Sequence, residues 1–238
     1  MQIRVRDIEF FVEEDEFAPF WRRVCDGDWE PASFAVLDRM LTPGSTFLDI
    51  GAWIGPLTLY AASLAQKCHA VEPDPRARTG LMANIACNPR FAERIQVHPE
   101  AVGEIRGEAQ MGNITSDFGG DSMSSLLFGT AQNAWTVECV TLDELIGSMD
   151  VPSLVKMDIE GAEVEVLNGS RNYIEEVRPP LFLSVHGRFW PDPVSRMRTL
   201  LGILSAYHDI LTPEFLPIDR QCLLDQHHLA GLFEILAI

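Results

Sequence analysis

From residue 45 onward, short apolar runs alternate with segments of helical spacing, the pattern of an α/β domain built around a mostly parallel sheet. Residues 46–50 read as a first strand, followed by a glycine turn and a helix from 56 to about 66. Residues 68–71 read as the second strand, 74–86 as a helix that stops before Asn88-Pro89, and 94–98 as the third strand. The fourth strand is predicted over 154–159, with a helix from Ala162 that ends near Gly169, a residue suited to the position just past a helix. Residues 181–186 form the fifth, 194 to about 207 have helical spacing, and the apolar run 232–238 suits a closing strand.

Residues 1–44 read mostly as helix, anchored by Trp21, Trp29 and Phe34, and form a cap ahead of a domain spanning 45–238. An interruption at about residues 104–140, rich in Gly, Ser and Asn, separates the third and fourth strands. A structureless stretch of that length is unusual in a compact domain, so it predicts hairpin strands plus a mobile loop over the site. Within it, residues 135–140 alternate like a strand, and Thr141-Leu-Asp-Glu144 then fits a capping box.

Composition narrows the partners. The 238 residues are 47% hydrophobic and 22% charged, enough apolar surface for one sizeable core. A formal net charge of −17 repels phosphate backbones, and basic residues come only in short pairs such as Arg22-Arg23, which speaks against nucleic acid as a substrate. Five widely spaced cysteines (Cys25, Cys68, Cys87, Cys139 and Cys222) without a C-x-x-C pair argue against a disulfide framework or zinc site and fit a reducing cytoplasm. The N-terminus carries acids where a secretory signal carries an apolar core, and the most apolar stretch, residues 50–65, is shorter than the ~20 residues of a bilayer span. Neither export nor a membrane partner is expected.

Ligands of an open α/β sheet sit at the carboxyl ends of its strands. Here those ends carry Asp49-Ile-Gly51-Ala52-Trp53-Ile-Gly55 after the first strand and Glu72-Pro73-Asp74 after the second. Glu72 follows Gly51 by 21 residues, the spacing at which an acid reaches a ribose diol. A dinucleotide fingerprint starting at Gly51 needs glycine at positions 53 and 56, where bare backbone meets pyrophosphate; Trp53 and Pro56 stand there instead. No Gly-Lys-Ser/Thr marks a phosphate loop. S-adenosylmethionine has a ribose but no phosphate and tolerates the bulkier turn, with its ammonium near Asp49 and its carboxylate near N–H groups of the turn. In the alternative, Gly51 and Gly55 only let the helix pack on the sheet and Glu72 is a solvated strand end.

The fourth strand runs into Lys156-Met-Asp158-Ile-Glu160-Gly161-Ala-Glu163. Residues two apart in a strand share a face, so Asp158 and Glu160 are expected to point into the pocket, while Glu160 and Glu163 could equally serve the dipole of the next helix. Ser184-Val-His186 ends the fifth strand. Carboxylate and imidazole at one cleft suit proton removal from a hydroxyl during in-line methyl transfer, with His186, near its ordinary pKa of about 6.5, as the base. A metal-free site is expected; a divalent cation on Asp158, Glu160 and His186 is the alternative.

These segments resemble the FkbM-type methyltransferases, a class I S-adenosylmethionine-dependent family. The resemblance rests on FLDIGAWIGPLTLYAA at 47–62, AVEPDP at 70–75, TLDEL at 141–145 and VKMDIEGAEVEVLNGS at 155–170, within roughly residues 29–190. It implies a Rossmann-like α/β fold, a seven-stranded, mostly parallel sheet with helices on both faces and a reversed last strand. It further implies S-adenosylmethionine as cofactor and O-methylation of a sugar or natural-product hydroxyl in secondary metabolism. Glu30, in Gly27-Asp-Trp29-Glu30-Pro31, is then placed to face the cofactor, Glu100 and Ala101 lie near the adenine, and Asp158 and His186 handle the acceptor. Many members carry Asn where this chain has Trp53, so backbone groups must supply those hydrogen bonds. Residues after about 191 match no motif, which leaves the acceptor open. An NAD(P)-dependent oxidoreductase and a non-catalytic cofactor-binding module are competing readings, and Trp53 and Pro56 oppose the first.

Overall fold

In the computed structural model, which describes residues 1–114, 120, 122–130, 133–225 and 229–238, the chain starts as a hairpin of β1 (Gln2–Val5) and β2 (Ile8–Phe11). Two helices follow, α1 (Ala18–Asp26) and α2 (Pro31–Met40). The expected mostly helical start is therefore corrected. Gln2 and Arg4 face solvent while Ile3 and Val5 are buried, a period of two that a strand satisfies and a helix does not. Four residues of alternation are easily masked by the helical spacing after them. Ile3, Val5, Phe10 and Trp21 pack in one cluster with Phe34, Phe47, Leu59 and Tyr60, so this opening segment shares a core with the sheet.

The chain continues through β3 (Thr46–Ile50), α3 (Pro56–Leu64), β4 (Lys67–Val71), α4 (Pro75–Ala86), α5 (Pro89–Ala92) and β5 (Ile95–His98). After β6 (Ala101–Val102) the insertion contributes β7 (Gly107–Asn113), β8 (Ser124–Ser125) and β9 (Trp135–Val140), and α6 (Leu142–Ile146) follows it. Then come β10 (Leu154–Met157), α7 (Glu163–Gly169), α8 (Arg171–Val177), β11 (Leu181–Val185), α9 (Pro193–Ile203), β12 (Ile210–Leu211) and β13 (Phe233–Ala237).

Seven strands form the main sheet in the order β12-β13-β11-β10-β3-β4-β5. All pair in parallel except β13, which runs antiparallel to both neighbours. This is the expected architecture, including the reversed last strand. Phe47, Cys68, Ala70, Leu154 and Phe182 pack on one face, and Leu48, Val71, Val155, Met157 and Leu183 on the other. Burial on both faces explains why these strands read as mainly apolar runs. The strand order reverses between β3 and β10, and there the crevice opens. Ile50 is level with Met157, and Met157 with Leu183, so the residues that follow β3, β10 and β11 meet at one end of the sheet.

Three details depart from the sequence reading. The fourth strand stops at Met157, because Glu160 (φ 54°) and Gly161 (φ 101°) turn the chain away into α7. Gly169 is the last residue of α7 and is not a left-handed cap; a Cβ there would overlap the Glu104 backbone, so close approach requires glycine. The helix expected to reach about 207 ends at Ile203 and passes into a 3₁₀ turn, Leu204–Ala206. In the insertion, β7 pairs antiparallel with β8 and β9, and β6 pairs parallel with β9. Residues 115–119, 121, 131 and 132, where the mobile loop was expected, lie outside the described residues. Among the described residues no helix is long and apolar enough to cross a membrane.

Candidate active site

A cavity of about 260 Å³ opens at the carboxyl ends of β3, β4 and β10 and passes under the insertion. Of the residues expected to bind cofactor, Glu30, Asp49, Gly51, Ala52, Trp53, Glu72, Pro73, Ala101 and Asp158 line it, and Glu160 and His186 join them. The two ends of the cavity differ in chemistry.

At the first end the bend after β3 is held open by glycine. Gly51 has φ 87°, and a Cβ on it would overlap the carbonyl oxygen of Asp158 across the strand gap. Asp49 is buried beneath the bend and accepts a 2.6 Å hydrogen bond from Thr58; burial outweighs that bond and pushes its pKa up to about 6. Glu72 accepts from the backbone N–H of Trp53 at 2.7 Å and of Asp74 at 2.8 Å. Burial still dominates and pushes Glu72 up to about 8. Trp53 (φ 50°) supplies the first of these backbone donors, and its indole N–H donates to Gly120 O at 2.9 Å, tying the insertion to the bend.

Three expected cofactor residues lie outside the lining. Gly55 (φ 94°) precedes α3, and a Cβ there would meet Leu81 Cδ1 at 2.6 Å, so this glycine serves packing on α4. Asp74 caps α4 through the N–H groups of Arg76 and Ala77, and its other oxygen accepts from Gly120 N at 2.7 Å and Ser124 Oγ at 3.0 Å. Its carboxylate fastens the insertion. Glu100 is half-buried beside the cavity while its neighbour Ala101 faces it.

The second end is a cluster of charges. Lys156, 1% exposed, donates to Asp158 Oδ2 at 3.0 Å and Ser184 Oγ at 2.8 Å. Burial opposes its charge, but Asp158, Glu30 and Glu234 outweigh it and raise its pKa. Burial likewise opposes the charge on Asp158, which Lys156 and His186 nevertheless hold below the usual carboxylate range. Burial pushes Glu30 up to about 7 in spite of Lys156, and the Ser33 hydroxyl lies 2.9 Å from both Glu30 Oε2 and Glu234 Oε1. One hydroxyl proton cannot serve both oxygens, which fits one of the two carboxyls being protonated near neutrality.

His186 stands among three carboxylates. Its Nδ1 lies 3.2 Å from Glu163 Oε1, and its Nε2 lies 3.3 Å from Glu160 Oε2 and 3.5 Å from Asp158 Oδ1. Burial works against its charge, but the Glu163 bond and the three carboxylates win and push it up to about 9. These carboxylates favour the protonated imidazole and place His186 above the 6.5 of the sequence reading. Glu163, 0% exposed and bound to His186 and to the Gly161 N–H, does more than complement a helix dipole. Asp158 and Glu160 converge through the left-handed turn at Glu160, not through the strand pleat.

Sequence reasoning missed Lys156, Ser184 and Glu234 as parts of this cluster. A lysine inside the apolar run Leu-Val-Lys-Met is itself a signal, since buried lysines need partners. Glu234 gave none; it arrives because β13 sets it opposite Ser184.

These shifts set a pH dependence for the ligand-free protein. Asp49 and Glu72 have folded pKa values above their ordinary ones, so their contribution to stability is complete below about pH 4 and is lost as pH rises through 6 and then 8. The thermal midpoint is expected to fall between about pH 5 and pH 9; a midpoint that rises over this range in a fluorescence melt would contradict the assignment.

Against known proteins, the family model described as Methyltransferase FkbM domain matches residues 49–212. The crystal structure of methyltransferase FkbM from Methylobacillus flagellatus KT aligns with a TM-score of 0.53 at 22% identity, over 83% of this chain and 44% of that one. The present chain therefore spans less than half the length of that relative. An rRNA methylase from Streptococcus thermophilus aligns with a TM-score of 0.49 at 11% identity, over 86% of this chain and 93% of that one. At 22% identity the likeness to the first of these is one of fold. No curated protein matches the sequence.

Proposed function

The chain belongs to the FkbM methyltransferase family, which depends on S-adenosylmethionine, and from that premise we propose that it transfers a methyl group to a hydroxyl oxygen of a small molecule. The observation that carries this reading is a buried acid, Glu72, beside a bend that Trp53 and Pro56 narrow against phosphate. The ribose diol donates to Glu72, the ammonium lies against Asp49, and the adenine lies along Pro73 and Ala101. This pose turns the sulfonium methyl toward Asp158, Glu160 and His186. A nicotinamide dinucleotide would need bare backbone where the indole of Trp53 stands.

In the transfer, an oxygen lone pair of the acceptor forms the O–CH₃ bond while the C–S pair returns to sulfur, giving S-adenosylhomocysteine, and the hydroxyl proton passes to the carboxylate of Glu160, which burial pushes up to about 7. Asp158, Glu160 and His186 hold and polarise that hydroxyl. A sugar or natural-product alcohol suits this end, since its carboxylates repel an anionic acceptor. Residues 1–44 act as a cap that closes the acceptor end through Trp29 and Glu30, and the free cysteines support a cytoplasmic setting.

Incubation of the protein and a metabolite extract with S-adenosylmethionine carrying a deuterated methyl tests this. A product with the label on oxygen, located by fragmentation, is expected. Label on nitrogen or carbon alone, or in no product, counts against the reading.

A further inference from the structure

Three side chains from the ends of β10 and β11 aim at one spot in the acceptor end. The ligand atoms of Asp158, Glu160 and His186 all lie within 4.8 Å of one another. The His186 Nε2 distances of 3.3 Å to Glu160 and 3.5 Å to Asp158 are long beside the ~2.9 Å usual for a hydrogen bond. They suit donors that each stand about 2.1 Å from a shared ion, whose mutual separations run about 3.0–3.4 Å.

Two further observations point to a ligand. Glu160 Oε2 is buried and makes no hydrogen bond among the described residues, although the residue is only 7% exposed. The half-exposed guanidinium of Arg188 stays 3.8 Å from that oxygen. A carboxylate oxygen withdrawn from water that has His186 Nε2 at 3.3 Å but no hydrogen bond is under-satisfied, and a cation between the two would satisfy it. In addition, the far nitrogen of His186 is held by Glu163, which accepts from the Gly161 N–H at 3.0 Å. A carboxylate behind an imidazole is the support that orients a metal-ligating histidine. Lys156 occupies Asp158 Oδ2 and leaves Oδ1, the atom facing His186, available.

We propose that Asp158, Glu160 and His186 bind a divalent cation of the Mn²⁺ or Mg²⁺ class, whose open positions face the cavity and take the acceptor oxygen. One imidazole and two carboxylates form a hard, oxygen-rich donor set. The inference rests on the reading of this end as the acceptor site. A hydroxyl on the ion ionises more readily and releases its proton to water rather than to Glu160; its oxygen then forms the O–CH₃ bond as the C–S pair returns to sulfur.

Mn²⁺ titrated into the EDTA-dialysed full chain, followed by loss of the free-ion electron spin resonance signal, tests this. One ion per chain is expected, bound roughly tenfold or more weakly by Glu160→Gln and by His186→Ala. Mn²⁺ should also raise the thermal midpoint of the native chain but not of Glu160→Gln. Absence of stoichiometric binding, or binding that neither substitution weakens, overturns the proposal. A parallel titration of S-adenosylhomocysteine in EDTA separates the two readings, because cofactor binding at the other end needs no ion.

Discussion

Gly51→Ala is expected to cost about 2–5 kcal/mol of stability and to weaken S-adenosylmethionine binding roughly a hundredfold or more. Part of the cost is conformational, because φ of 87° is a region that a side chain rarely adopts. The larger part is steric. The new methyl would overlap the Asp158 carbonyl oxygen, and neither backbone can retreat freely. Gly51 N–H donates to Val71 O at 3.0 Å, and Asp158 N–H donates to Ile50 O at 2.9 Å. Relief of the overlap therefore displaces the bend beneath the methionine part or the end of β10 that carries Asp158. Urea melts and calorimetric titration read the two effects separately. A variant with native stability and native affinity would show that this contact does not shape the cavity.

Lys156→Met is expected to destabilise the fold by about 3–5 kcal/mol near pH 8 and by less near pH 5. Methionine nearly conserves the volume, so the packing loss is small and the effect is electrostatic. Without the ammonium, Asp158, Glu30 and Glu234 keep their burial and lose the cation that offsets it. Glu30 and Glu234 already have raised pKa values, so at lower pH they take up protons and the penalty shrinks. Denaturant midpoints at the two pH values measure this. A cost below about 1 kcal/mol, or one that does not depend on pH, would mean that the lysine is not the counter-charge of the cluster.

Much of the framework was legible because its physics is local. Residues 46–50, 68–71 and 181–185 are buried on both sides and announce themselves as mainly apolar runs, and Thr141 with Glu144 forms the capping box that its spacing predicted. The bend at Gly51 and the acid at Glu72 follow from the chain geometry of one strand-turn-helix unit. What was not legible depends on distant parts meeting. The hairpin at residues 2–11 is specified by four alternating positions packed against α3, and β12 by only two residues paired with β13. Asp74 and Gly55 looked like ligand residues because they stand beside Glu72 and Gly51. Only the packed structure shows that Asp74 serves the insertion and Gly55 serves α4. The upward shift of His186 was not legible for a related reason. A histidine's pKa is set by what surrounds it, and Glu163 arrives from the next helix.

Calorimetric titration of S-adenosylhomocysteine into the native chain and into Glu72→Ala tests the account most directly. One site of micromolar affinity is expected in the native protein, weakened roughly tenfold or more in the variant. No heat of binding to the native protein, or equal affinity in the two, would contradict it.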